Sequence, residues 1–472
     1  RQYLDAIHLI QTSQFSRLQK LKPLLRTYPL YPYLEYTEMA YRISRHTEAD
    51  IVAFIEQYQD TPLTEPLLQH WLLNLAKRGE WPLFLKYYDR ISATKELKCH
   101  YGTALIKTGQ TELAMRVAEE LWIVAYSQPD ECDPIFLSWR NGGGITPAVA
   151  WARFSLSVQD NNKSLATYLL RFVGKKDKTF ASNYLLVRSK PETITRIQTF
   201  SEADIRNREI VLYGVNVLAR VDPPTALETL RRYASIHNFD PDELEQTYAK
   251  IGIRLSARSG DLTLLENLPV NLRHYPNLIE ARLRQSIKLG DWSNVIILAN
   301  LLPKELQESS RWQYWKARVL SQSSEANDRF IATEIFQRLA EERSFYGFMS
   351  ADILQSDYNF EDEPAPATMD QILSLEKAPG IQRALELLTL GERARARREW
   401  YFATANYSLR EREIAAQVAL RWGWYKAAIH SMIEADAWNH LDFRFPIAYQ
   451  DNFLNHARRT NIPVQWGLAI AR

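Results

Sequence analysis

One phrase recurs along this chain and constrains its fold more than any other feature. An apolar stretch rich in Ala and Leu runs up to a glycine, usually through a basic residue, and a new amphipathic stretch then begins. It reads LLNLAKRGEW at 72–81, GTALIKTGQ at 102–110, IRLSARSGDL at 253–262, SIKLGDW at 286–292 and ALRWGW at 419–424. A basic side chain in the last helical turn is favoured by the helix dipole. Gly79, Gly109, Gly260 and Gly290 then fall where a helix needs a residue in the left-handed conformation. Gly79 and Gly109, and again Gly260 and Gly290, are 30 residues apart. Such spacing is the mark of helical hairpins that stack and bury their apolar stripes on one another. Elsewhere the spacing is irregular, so a degenerate superhelix is expected rather than a regular repeat.

The stretches between these turns keep helical period. After Gly109 the apolar positions are Ala114, Val117, Ala118 and Leu121; after Gly290 they are Trp292, Val295, Ile296, Ala299 and Leu302. Spacings of three and four place them on one helix face. Alternating β-branched runs bounded by turns are nearly absent, so the chain reads as all-α.

A length of 472 residues allows two or three domains. The acidic run SDYNFEDEPAPATMD at 356–370, with Pro364 and Pro366, breaks the helical pattern and marks a boundary. A second break comes at RFPIAY, 444–449, where Pro446 blocks helix continuation. The last piece restarts with Pro463 in a first-turn position.

Composition narrows the function classes. Basic and acidic residues number 58 and 56, a net charge of +2, which lacks the basic excess of a nucleic-acid surface. The local runs Lys175, Lys176 and Lys178, and Arg393, Arg395, Arg397 and Arg398, read as solvated helix faces or loops. No uncharged apolar stretch is long enough to span a bilayer. No phosphate loop, dinucleotide fingerprint or HExxH is present, and NGGG at 141–144 lacks the Lys and Ser or Thr of a phosphate loop, so it reads as a flexible turn between helices. Nine histidines lie without ligand spacing and two cysteines alone cannot hold structural zinc, so no metal or cofactor is expected. Glu361, Asp362 and Glu363 fall in the acidic run, where nothing would desolvate one of them to make an acid–base pair. The 13 Trp, 24 Tyr and 18 Phe could stack on sugars, but rings also fill gaps between irregular helices. Cys99 and Cys132 suit either two buried thiols of a cytosolic protein or one bridge of an exported one. The opening RQYLDAIHLI carries no signal-peptide features, which fits a processed form as well as a cytosolic one.

Several phrases, in one order across nearly the whole chain, resemble the soluble lytic murein transglycosylases of the bacterial periplasm. They are YPLYPYLEY at 28–36, LWIVAYSQPDECDPIFLSWR at 121–140, RWQYWKARVL at 311–320 and RSFYGFMSADIL at 343–354. WNHLDFRFPIAYQDNF at 438–453 is the most specific, and PVQWGLAIAR at 463–472 is similar to the opening helix of that family's lysozyme-like catalytic domain. The resemblance implies a ring- or horseshoe-shaped superhelix over 1–356, a linker over 357–370, a smaller helical linker domain over 371–453, and a catalytic-domain stub over 454–472. It implies a periplasmic protein with a Cys99–Cys132 disulfide. Arg444, Phe445, Pro446 and Tyr449 are expected to form a docking motif for the catalytic domain, with Phe445 and Tyr449 packing on one side and Arg444 meeting a carboxylate or that domain.

The family cuts the β-1,4 bond from N-acetylmuramic acid to N-acetylglucosamine in peptidoglycan and leaves 1,6-anhydromuramoyl ends without consuming water. A single Glu, held protonated in an apolar cleft, serves as acid and then base. In the family that Glu follows a phrase that stands here as Ala469, Ile470, Ala471 and Arg472. No residue of this sequence can therefore be assigned the catalytic role. The implied partners are glycan strands, the catalytic domain and other cell-wall enzymes. The other reading is a free-standing helical-repeat scaffold that binds a protein partner, as solenoids commonly do on a concave face.

Overall fold

A computed structural model describes residues 1–258, 263–364 and 367–471. Among the described residues there are 30 α-helices, six short 3-10 helices and no strand. None of these helices is long and apolar enough to cross a membrane. The all-α expectation holds, and the recurring phrase is the reason. Helix Thr64–Arg78 ends on Gly79 at φ 74°, and helix Pro276–Leu289 on Gly290 at φ 72°. At each, the glycine N–H and the next N–H turn back onto carbonyls of the last turn: Gly79 to Ala76 and Glu80 to Leu75, Gly290 to Ile287 and Asp291 to Ser286. A Cβ would be strained at these positive φ values, so glycine closes the helix and turns the chain into its next partner. Gly109 makes the same turn. Gly260 lies outside the described residues.

The chain divides into two compact units. One comprises Arg1–Ala114, Pro129–Ile135 and Glu361–Arg472; the other comprises Met115–Gln128 and Phe136–Phe360. In the first, the N-terminal hairpins bury Ile10, Leu18, Leu34, Leu67, Trp71 and Phe84, and Leu387 and Ala396 from the far end of the sequence join the same core. Polar contacts reinforce that junction. Tyr33 donates to Glu399 at 2.6 Å and Tyr28 to Glu386 at 2.6 Å. Arg383 pairs with buried Glu399 and reaches the Asp60 carboxylate at 3.0 Å. Burial pushes the Glu399 carboxyl up, and the Arg383 guanidinium and Tyr33 hydroxyl oppose that shift. Cys99, on helix Lys95–Lys107, is disulfide-bonded to Cys132 of the 3-10 segment Asp130–Cys132, with Cα atoms 4.6 Å apart.

The second unit is a succession of helices packed on their sequence neighbours. Helices Pro276–Leu289, Trp292–Ala299 and Ser310–Leu320 share a core of Ile279, Leu283, Val295, Leu298 and Trp312. Tyr314 and Ala317, on another face of the Ser310–Leu320 helix, pack with Ala332, Ile335 and Phe336 of the next. In the NGGG turn Asn141, Gly142 and Gly143 are exposed, while Gly144 packs on Trp139. Gly144 donates to the Trp139 carbonyl at 3.0 Å, and a Cβ there would fall on the buried Trp139 indole.

The acidic run has no regular secondary structure from 356 to 364, where Glu361 stands at φ 46°, and helix restarts at Met369 under a Thr368–Gln371 capping box. Ala365 and Pro366 lie outside the described residues. Glu361, Asp362 and Glu363 are exposed, as expected. Two of them have a structural task. The Leu441 N–H donates to Asp362, and Glu363 exchanges backbone and side-chain hydrogen bonds with Asn439.

Candidate functional site

Two helical hairpins and a loop line a cavity of about 1140 Å³ within the first unit. Helices Pro379–Thr389 and Arg393–Thr404 form one hairpin, and Leu409–Arg421 and Tyr425–Glu434 the other. Gly391 and Gly423 close their turns in the left-handed conformation. Both hairpins are fixed from behind by Trp400, which is fully buried, donates to Ser431 at 3.1 Å and meets the rings of Trp422 and Trp424 edge-on. A Ser408–Glu411 capping box starts the Leu409–Arg421 helix, and its hydrogen bonds hold the Glu411 carboxyl below the usual range.

The loop that completes the cavity is RFPIAY. Helix Leu441–Arg444 stops one residue before the Phe445–Pro446 bond, as proline requires. Phe445, Pro446, Ile447, Ala448 and Tyr449 all line the cavity. Phe445 is 44%, Ile447 59% and Tyr449 68% exposed, a concentration of apolar surface that a core turn would not leave open. Tyr449 packs at 6.2 Å on the Tyr425 ring. Arg444 is turned aside: its guanidinium lies 4.4 Å over the Trp438 ring and donates to the Trp438 carbonyl at 3.3 Å. Phe453 and, from helix Val464–Ala471, Leu468, Ala469 and Ala471 finish the wall. On that same helix Trp466 is 68% and Ile470 84% exposed.

The wall brings three of the four motif residues together, namely Phe445, Pro446 and Tyr449. It also recruits residues the sequence reading passed over. Arg393 and Arg397, which read as part of a solvated run, line the cavity with Lys426, while Trp422, Trp424 and Tyr425 supply ring faces. Among the described residues the cavity lining includes no carboxylate. Cys99 and Cys132 are not part of it.

A second polar cluster belongs to the other unit. Glu209, on helix Ile205–Leu218, accepts from Trp151 at 2.8 Å, from Gln159 at 3.2 Å and from the Ser155 hydroxyl. Burial pushes its carboxyl up despite these donors, and Glu243 adds to the shift. Among the described residues no group of three or more His, Cys, Asp or Glu is placed to hold a metal ion.

Comparison with known proteins places this arrangement. A family model for the soluble lytic murein transglycosylase L domain matches residues 374–441, which hold the two hairpins and stop short of the RFPIAY loop. The soluble lytic murein transglycosylase of Escherichia coli K12 is 27% identical over 461 residues, 97% of this chain and 71% of that protein. An inactive mutant of the lytic transglycosylase Slt from Pseudomonas aeruginosa superposes with a TM-score of 0.87 at 32% identity, over 100% of this chain and 76% of its own. The chain belongs to the soluble lytic murein transglycosylase family. The 70 kDa family member of Escherichia coli also superposes, with a TM-score of 0.81 at 26% identity over the same share of its length. A 70 kDa soluble lytic transglycosylase has in addition been solved with bulgecin A, at a TM-score of 0.81. In this family member the cavity therefore falls on the L-domain hairpins and the segment that follows them.

Proposed function

We propose that this chain is the non-catalytic helical body of a soluble lytic murein transglycosylase, which holds glycan strands of peptidoglycan for a lysozyme-like catalytic domain. Residues 1–356 form its superhelical domain, 371–453 its linker domain and 454–472 the first helix of the catalytic domain. The observation that carries this reading is the match of all of this chain to a lytic transglycosylase of which it spans 76%. The relatives thus hold further sequence in which the chemistry can reside.

The chemistry requires a carboxylic acid held protonated near neutrality within reach of the glycosidic oxygen. Among the described residues the carboxyls that burial pushes up are Glu209 and Glu399. Each is spent in a packed network, one with Trp151, Ser155 and Gln159, the other with Arg383 and Tyr33. Among the described residues no carboxylate lines the cavity. This supports an acid supplied from outside these residues. The exposed Phe445, Ile447 and Tyr449 are the surface on which we place the catalytic domain. A buried disulfide suits a protein that works in the oxidising periplasm, where peptidoglycan lies.

Co-sedimentation with purified, insoluble peptidoglycan tests the reading. The 472-residue chain is expected to pellet with it. A chain that stays in the supernatant at every concentration tried would point instead to a scaffold for a protein partner.

A further inference from the structure

Three cations line one cavity. They are Arg393, Arg397 and Lys426; among the described residues its lining holds no carboxylate and none of the three is in an ion pair. Around them stand the rings of Trp422, Trp424, Tyr425 and Tyr449. Like charges gathered in a concave site with apolar walls raise the local potential and draw in anions. Arginine matches a carboxylate with a planar fork, while lysine supplies a point charge. The rings add faces on which an apolar or pyranose surface can lie. The cavity also receives the first turns of the Arg393–Thr404 and Tyr425–Glu434 helices, neither of which has a side-chain N-cap. The positive ends of these helix dipoles add to the field.

The volume of about 1140 Å³ exceeds what a single small anion needs and suits an extended, multiply charged ligand. Within peptidoglycan the glycan backbone is rich in neutral hydroxyl and acetamido groups, and most carboxylates belong to the peptide stems. We propose that this cavity is a carboxylate-binding subsite for the peptide stem of peptidoglycan. Arg393, Arg397 and Lys426 take its carboxylates, and the tryptophan and tyrosine faces hold the adjoining sugar or side chain. The proposal rests on the reading that the chain binds peptidoglycan, and extends it from glycan to peptide. It puts the stem beside the Phe445–Tyr449 loop, so that stem recognition and domain docking share one wall.

Calorimetric titration with two soluble probes tests this: the disaccharide N-acetylglucosaminyl-N-acetylmuramic acid carrying a tetrapeptide stem, and the same disaccharide without it. At low salt the stem-bearing probe is expected to bind at least about tenfold more tightly, and that advantage to shrink as salt rises. The Arg397→Gln/Lys426→Gln double variant should lose the advantage. Both positions are exposed, so its circular dichroism should match the parent. Equal affinity for the two probes, or an advantage that survives the double substitution, overturns the proposal while sedimentation still upholds the broader reading. Loss of sedimentation by the parent chain would instead sink the broader reading. A stem advantage that disappears when the chain is extended to the relatives' length would assign the cavity to a segment of the protein itself and also overturn the proposal.

Discussion

Glu399 is fully buried between Arg383 and Tyr33, and those three residues come from points more than 300 positions apart in sequence, counting Tyr33 against the other two. Replacing it by Ala strands the Arg383 charge in a dry environment with only the exposed Asp60 left to meet it. The expected loss is about 3–5 kcal/mol in urea unfolding, the usual cost of removing one partner of a buried pair. The double substitution Arg383→Met/Glu399→Leu should recover much of it, because the charge leaves with its partner. Glu209 yields a pH prediction. Its folded carboxyl titrates above the ordinary value of 4.5, so the folded state holds that proton more tightly than the unfolded chain does. Its contribution to stability is greatest at low pH, falls as pH rises from about 4.5, and levels off above the folded pKa. Unfolding of parent and Glu209→Gln at pH 4.5 and pH 7.5 should therefore show the difference moving in the variant's favour at the higher pH. A difference independent of pH contradicts this. Neither residue could be found by pattern: WNHLDFRF or LAKRG has a phrase to read, whereas Glu209 and Glu399 gain their environment from helices whose pairing is not local.

At the scale of elements, the hairpins were legible because their signals are local. The glycine at the end of a helix and the three–four spacing of apolar residues both act within a dozen residues, and the structure places turns at Gly79, Gly109 and Gly290. The phrase LLTLGERARARREW carries the same signal, and Gly391 in it turns at φ 79° although it was not among the recurrences first noted. The cavity was only half legible. RFPIAY announced itself through Pro446, but Arg393, Arg397 and Lys426 are ordinary surface cations until the two hairpins bring them to one hollow. Two elements carry predictions. The Cys99–Cys132 bridge closes a loop of 33 residues, worth about 3–4 kcal/mol by loss of unfolded-chain entropy. Cys99→Ser, or reduction, should lower stability by that amount, and thiol titration of the non-reduced, denatured protein should find no free thiol. The docking loop is tested in a chain extended to the relatives' length. There Phe445→Ala should loosen attachment of the added domain, read as earlier proteolytic release. Unchanged release and unchanged melting would remove the loop from the docking surface.

At the scale of the whole molecule, family membership rests on order as much as on identity. The phrases from YPLYPYLEY to RFPIAY are spread over the chain, and the Escherichia coli K12 and Pseudomonas aeruginosa relatives match it over 97% or more of its length. What length and order leave to experiment is the division of labour proposed above, in which this body would gather peptidoglycan and an acid outside these 472 residues would cut it. Mass spectrometry of purified peptidoglycan incubated with the verified 472-residue chain tests that division most directly. The chain should sediment with the polymer and release no 1,6-anhydromuramoyl products. Anhydro ends appearing in proportion to that chain, and absent from the buffer control, would contradict the account and require a catalytic carboxylate within it.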